Sequence, residues 1–366
     1  MMELTASAPA KLVLLGDYAV LEGARALVLA VDRRANVRIA AREDRECNVY
    51  APDLGVHGAQ IAIGSDGNLH WQCDEATKAK LSLVDHVWHG LLDEGLAPLS
   101  RGGFDLHLDT SGFFHVEGSV RAKLGLGSSA ALTVALASAL ATYAGHGDVI
   151  TDRTRWMRQL LNMHGNWQGG RGSGVDIAAS VAGGLIAYQL VGSTREPTYE
   201  AMRMNGLHCL FVWSGQSVST SDSLQRLALW RDTHAADYVA HMDELSSISA
   251  AAIDALAQQR VQSFIGLTKD YARGLQHFSA ACGLEIYSPA QKRLADMVSG
   301  TDVSYKPCGA GGDFGVVFAE DAERLATFGR AIVSADMQVV PLGLDNQGVS
   351  CHMRPDAKSP PSRILT

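Results

Sequence analysis

Residues 103–109, Gly-Phe-Asp-Leu-His-Leu-Asp, alternate apolar and polar positions and predict a strand with one buried face. Short aliphatic runs at 11–15 (KLVLL) and 26–31 (ALVLAV), separated by glycine and charge, predict two more strands, and 36–41 (NVRIAA) another. Helices are predicted across 77–94, 128–143 and 174–182, with a strand over 184–191.

A second region opens near Gly206. LHCLFVWSG reads as a buried strand. Asp232 is a candidate cap for a long helix in which Val239, Met242, Leu245, Ile248, Ile253 and Leu256 recur at helical spacing. Another helix is expected over 261–278, and Ser288-Pro289 is a cap-plus-first-turn signal for a third. KPCGAGGDFGVVFAED predicts a glycine loop entering a strand, AERLATFGRAIVSA a helix and MQVVPLGL a closing strand. The alternation is irregular, which points to α+β rather than a strict βαβ repeat. With 366 residues, two domains are expected, 1–200 and 201–366, ending in a flexible tail, PDAKSPPSRILT.

Composition narrows the partners. A formal charge of −8 argues against nucleic acid, which needs clustered Lys and Arg. Six scattered cysteines without a CxxC pair argue against a disulfide framework or a structural zinc site. MMELTASAPAKLVLLGDYAV lacks the basic segment of a secretory signal, and no apolar run reaches the about 18–20 residues that span a bilayer. The expectation is a soluble, cytoplasmic protein without a membrane partner.

Candidate chemistry centres on Gly125-Leu126-Gly127-Ser128-Ser129-Ala130 at the head of the 128–143 helix, with Lys123 just before it. A helix starting there leaves unpaired N–H groups and a positive dipole end facing a loop whose glycines admit a ligand close to backbone. No Asp or Glu occurs between Glu117 and Asp148 to compete with an anion. These are ingredients of a phosphate cradle, although an N-cap on a buried helix accounts for the same residues. Gly125-x-Gly127-x-x-Ala130 also fits the dinucleotide fingerprint of an NAD(P)-dependent oxidoreductase, but the polar GSVRAK precedes it where an apolar strand belongs. Two further segments add weight: APAKLVLLGDYAVLEG, with Lys11 in a strand and Asp17 in the following turn, and KPCGAGGDFGVVF, with Gly309, Gly311, Gly312 and Gly315 around Asp313.

In order, the three segments resemble the signature motifs of the GHMP small-molecule kinases, with Ala10 replacing the usual glycine of Pro-Gly-Lys and one glycine fewer in GAGGD. HGNWQGGRGSGVDIAASVAGG, VWSGQSVSTSD and GDYAVLEG look like the phosphomevalonate kinase branch, and Gly170 stands where mevalonate kinases carry a magnesium-binding acid. The resemblance implies an N-terminal ribosomal-S5-like domain, a C-terminal ferredoxin-like domain, ATP and Mg2+ as cofactors, and a phosphorylated or hydroxy-acid acceptor; a homodimer stays open.

By that resemblance Lys123 and Gly125 to Ala130 hold the nucleotide, Ser128 or Ser129 gives magnesium an oxygen, and Lys11 and Asp176 are catalytic. Asp17, Tyr18, Arg171, Ser173, Gly174, Ser219, Gly309, Ala310 and Gly311 line the acceptor side. An alcohol acceptor needs a base, worth about 10²–10⁴-fold. A phosphate acceptor, with a second pKa near ~6, needs cations instead. Lys11, Arg121, Lys123 and Arg171 favour the phosphate, so Asp176 is expected to orient Lys11. The expected reaction is ATP-dependent phosphorylation of 5-phosphomevalonate to 5-diphosphomevalonate in isoprenoid precursor synthesis. Mevalonate kinase, another family kinase, a related decarboxylase or a ligand-binding member without activity are the alternatives. His86 and His89, three apart on a predicted helix, are expected to be packed or solvated rather than metal ligands.

Overall fold

The computed structural model describes residues 2–99, 102–117, 120–167, 172–192, 195–215, 220–335 and 337–354. Gly170, Arg171, Ser219 and the tail from Pro355 lie outside them. The chain begins with strands β1 (Glu3–Leu15), β2 (Ala26–Ala41), β3 (Cys47–Ala51), β4 (Val56–Ile63) and β5 (Leu69–Trp71). Helices α1 (Glu75–Lys80) and α2 (Ser82–Asp93) lead to β6 (Phe104–Asp109) and the hairpin β7 (Phe114–Glu117) and β8 (Val120–Lys123). Then come α3 (Ser128–Ala144), α4 (Arg153–Trp167), α5 (Val175–Ala182), β9 (Leu185–Val191) and β10 (Glu196–Met202). These strands, apart from the hairpin, join one sheet in the order β10-β9-β2-β6-β3-β4-β5, with β1 pairing along the length of β2.

The predicted strands at 26–31 and 36–41 are one strand. Its polar stretch Asp32-Arg33-Arg34 marks a change of partner, from β9 to β6, rather than a turn. The predicted helix over 77–94 is broken at Leu81 into α1 and α2, with Asp74 capping the first through Thr77 N–H at 2.8 Å. Helix α3 is buried on all sides between β1, β2, α2 and α5, which accounts for its lack of charge.

The second half continues with β11 (His208–Trp213), α6 (Thr220–Thr233), α7 (Ala235–Ala257), α8 (Val261–Cys282), α9 (Pro289–Val298), β12 (Ser304–Pro307), β13 (Phe314–Ala319), α10 (Ala322–Ser334) and β14 (Gln338–Val340). The sheet order β12-β13-β11-β14, all antiparallel, is the β-α-β-β-α-β arrangement of a ferredoxin-like unit, with four helices in the first crossover. Helix α7 starts at Ala235, capped in sequence by His234 rather than Asp232, because α6 already runs to Thr233. Ser288 does cap α9, accepting from Gln291 N–H, and Pro289 takes the first helical position.

The two halves are sewn together. Helix α7 lies against the first sheet, where Ser249 Oγ donates to the Arg25 carbonyl at 2.7 Å and Tyr238 Oη to Glu22 at 2.7 Å. The final strand β15 (Ser350–Arg354) returns to pair with β1, and Arg34 ties that return down by ion-pairing with Asp345 and donating to the Gly348 carbonyl.

Candidate active site

Three chain segments meet at the N-terminal end of α3. The helix enters through Gly127 at φ 79°, and no side chain caps it. Ser128 and Ser129 are both partly exposed, and Ser129 uses its carbonyl to accept from Thr133 Oγ1. The first-turn N–H groups therefore face the loop. Gly125 at φ 72° gives the preceding bend, and buried Leu124 and Leu126 anchor it from below. Lys123 ends β8 and is exposed. The loop follows the short antiparallel hairpin β7–β8. It does not follow a parallel strand, which removes the oxidoreductase fingerprint reading.

Strand β1 forms the wall. The Lys11 amide donates to the Leu126 carbonyl at 3.1 Å. A methyl built on Gly127 would lie 3.2 Å from Lys11 Cε and 3.7 Å from Asp176 Cβ, so the loop passes between the two expected catalytic side chains. Asp176 sits in the first turn of α5, accepting from the Ile177 amide at 3.0 Å. Ser180 of the same helix donates to the Pro9 carbonyl at 2.7 Å, clamping α5 to β1. Gly174, at φ 75°, opens the helix, and the Ser173 carbonyl accepts from Tyr188 Oη at 3.0 Å.

The third segment closes the opposite side. Gly309, Gly311 and Gly312 all have positive φ. A methyl on Gly309 would stand 3.9 Å from Lys11 Nζ, and one on Gly125 would run into the Asp313 carboxylate. Thus Lys11, Gly125, Leu126, Gly127, Asp176, Gly309 and Asp313 are brought together. The cavity of 320 Å³ bounded by Leu21, Glu22, Gly172, Arg195, Leu227 and Arg231 opens beside the turn after β1 and the approach to α5.

Two expected acceptor residues face elsewhere. The Asp17 side chain is fully buried, 2.7 Å from Lys306 Nζ and accepting from Gly309 N–H at 2.5 Å. Burial raises its pKa, and the Lys306 ammonium opposes that rise. Tyr18, at φ 62°, is 5% exposed and donates to the Ala310 carbonyl at 2.7 Å; burial pushes its phenol upward. Both hold loops, and neither presents its polar end to an open acceptor cavity. Lys306 has no signal of its own in the sequence: it lies in the four-residue strand Ser-Tyr-Lys-Pro, whose burial only the fold reveals.

The two histidines of α2 are engaged locally. His86 Nε2 pairs with the Met163 carbonyl at 2.8 Å and His89 Nδ1 with that of Asp85 at 2.7 Å. Among the described residues no group of three or more His, Cys, Asp or Glu is placed to hold a metal ion, and no helix is long and apolar enough to cross a membrane. A magnesium ion suits the site only as a phosphate-borne ion, since it keeps waters and needs few protein oxygens. The uncapped hydroxyls of Ser128 and Ser129 fit that role.

Residues 86–184 match the family described as GHMP kinases N terminal domain. The chain is 29% identical over 348 residues to the phosphomevalonate kinase of Streptomyces sp. strain CL190, covering 86% of this chain and 89% of that one. It is 28% identical over 285 residues to the mevalonate kinase of Aeropyrum pernix, covering 77% and 78%. The structure of Streptococcus pneumoniae phosphomevalonate kinase in complex with phosphomevalonate and AMPPNP superposes with a TM-score of 0.74 at 19% identity, over 93% of this chain and 99% of that one. An α+β fold with a ferredoxin-like second half and a glycine loop opening α3, which lies inside the matched residues 86–184, make the chain similar to the GHMP kinases in fold and in this motif.

Proposed function

We propose that this protein transfers the γ-phosphoryl group of ATP to 5-phosphomevalonate, giving 5-diphosphomevalonate. The observation that carries the reading is the convergence of Lys11, the uncapped start of α3 and Asp176 around Gly127, in a chain similar along most of its length to a phosphomevalonate kinase.

Phosphoryl transfer asks a protein for positioning and charge neutralisation. The first-turn amides of α3 receive the β- and γ-phosphates, where the helix dipole favours negative charge. Lys11 reaches past Gly127 and neutralises the oxygens that approach one another. Magnesium, held by Ser128 or Ser129 and the phosphates, adds further charge neutralisation when bound. Asp176 keeps the Lys11 ammonium oriented, since a phosphate acceptor is already ionised and asks for no base. The cavity by the approach to α5 sets Arg195 and Arg231 against the single acid Glu22, beside the apolar Leu21 and Leu227, and supports a small acceptor that is apolar in its body and anionic at its end.

The similarity to mevalonate kinases favours mevalonate as a second acceptor. ATP consumption measured with mevalonate, phosphomevalonate, diphosphomevalonate, galactose and homoserine separates the readings. Turnover with phosphomevalonate at least tenfold above any other acceptor is expected; preference for mevalonate or a sugar overturns the proposal.

A further inference from the structure

Buried charge is rare in folded proteins because desolvation is expensive, and a fully buried ion pair invites the question of what it holds. Asp17 and Lys306 are both 0% exposed in their side chains. Asp17 lies in the turn after β1, and Lys306 lies in β12, just before the third glycine motif. The Lys306 ammonium sits 2.7 Å from Asp17 Oδ2, side-on and without a well-aligned hydrogen bond, and donates to the Pro307 carbonyl at 2.5 Å.

The other oxygen of Asp17 has a more directed task. Oδ1 accepts from Gly309 N–H at 2.5 Å, while Tyr271 Oη fixes the Asp17 carbonyl at 2.8 Å. One residue further on, Tyr18 Oη donates to the Ala310 carbonyl at 2.7 Å. Tyr18 is itself wedged edge-on against Phe278, with ring centroids 5.2 Å apart. Two consecutive side chains of the first motif thus grip two consecutive residues of the third. The gripped residue Gly309 is the one that faces Lys11 Nζ.

We propose that Asp17 and Tyr18 are positioning residues for phosphoryl transfer, with Lys306 as the buried partner of the Asp17 side chain. Asp17 and Tyr18 set the distance between the Gly309–Ala310 loop and the Lys11 ammonium. They act on the reacting groups through that loop and touch neither substrate.

The test compares two charge-neutral double variants, so that no unpaired charge is left buried. Asp17→Ala with Lys306→Met removes the acceptor for Gly309 N–H. Asp17→Asn with Lys306→Met keeps an acceptor oxygen at the same place. With ATP and phosphomevalonate, the alanine pair is expected to lose about 10²-fold in kcat, the scale of an ångström-sized misplacement. ATP affinity, measured by titration, is expected to stay within about threefold of wild type, because the Gly125–Ser129 loop is untouched. The asparagine pair is expected to recover at least about tenfold of the lost kcat. A purely structural role moves the thermal midpoint of both pairs and separates neither their kcat values nor kcat from ATP affinity.

Wild-type kcat in a folded alanine pair overturns the assignment, and so does an asparagine pair no faster than the alanine pair. If the alanine pair does not fold, Tyr18→Phe, which deletes one hydroxyl, decides: a fall of about tenfold in kcat with unchanged ATP affinity supports positioning, and wild-type kcat overturns it. Wild-type protein that consumes no ATP with any acceptor defeats instead the phosphoryl-transfer reading on which the assignment rests.

Discussion

Lys11 donates its amide to the Leu126 carbonyl at 3.1 Å, and its side chain then runs beside Gly127 toward Gly309. One hydrogen bond thereby registers the strand of the first motif against the loop of the second. Gly127 is the tight point of that junction: at φ 79°, a methyl would come 3.2 Å from Lys11 Cε. Gly127→Ala is expected to displace the lysine side chain and lower kcat by about 10²-fold. The left-handed backbone costs the variant about 1–2 kcal/mol, so it stays folded. Steady-state kinetics beside thermal unfolding checks this; wild-type kcat would contradict the packing.

Gly311 presents a harder constraint. A methyl there would lie 2.5 Å from the Ile286 carbonyl oxygen and 2.6 Å from its Cα, both backbone atoms. Gly283 has a similar positive φ, 66° against 86°, with nothing within 4 Å. Gly311→Ala is therefore expected to lose about 2–5 kcal/mol, strain and overpacking together, and Gly283→Ala only the strain share of about 1–2 kcal/mol. Urea unfolding of the two variants measures the difference, and equal losses would show that the loop gives way easily.

Much of this site was legible in the sequence because its requirements are local. Gly125, Gly127 and Gly309 announce positive φ, and they have it. The charge-free run announces a helix buried all round, and α3 is one. What escaped depended on partners far along the chain. Asp17 and Tyr18 read as acceptor-side residues because nothing near them in sequence reveals Lys306 or the Ala310 carbonyl. Helix α4 was missed because Arg153, Arg155 and Arg158 mask the buried stripe of Trp156, Leu160 and Met163. Strand β15, Ser-Cys-His-Met-Arg, alternates polar and apolar positions over only five residues, and its place is set by pairing with β1, far earlier in the chain.

Asp176 distinguishes the two acceptors. In the first turn of α5 and beside Gly127, it flanks the same point as Lys11. If its task is to orient the lysine, Asp176→Asn keeps the size and an acceptor oxygen, and turnover of phosphomevalonate falls only about tenfold. An alcohol acceptor loses its base as well, and turnover of mevalonate falls by about 10²–10⁴-fold. The ratio of the two losses in parallel assays is the readout, and equally severe losses would assign Asp176 a proton-transfer role with both.

His164 gives the fold a pH dependence of known sign. It lies in α4, 3% exposed, with Nε2 lacking a hydrogen-bond partner. Burial pushes its pKa below 6.5; the Asp176 carboxylate opposes this and His86 adds to it. The unfolded chain therefore binds a proton on this residue at a pH where the folded chain does not, and stability rises with pH across that interval. The contribution is complete above the unfolded value of about 6.5 and is lost as pH falls through the lower folded value. His164→Leu removes the titration and suits the apolar surroundings. Urea unfolding at pH 5.5 and 7.5 is expected to show a smaller stability difference for the variant than for wild type. An unchanged difference would mean that folding leaves the proton affinity of His164 where it is in the unfolded chain.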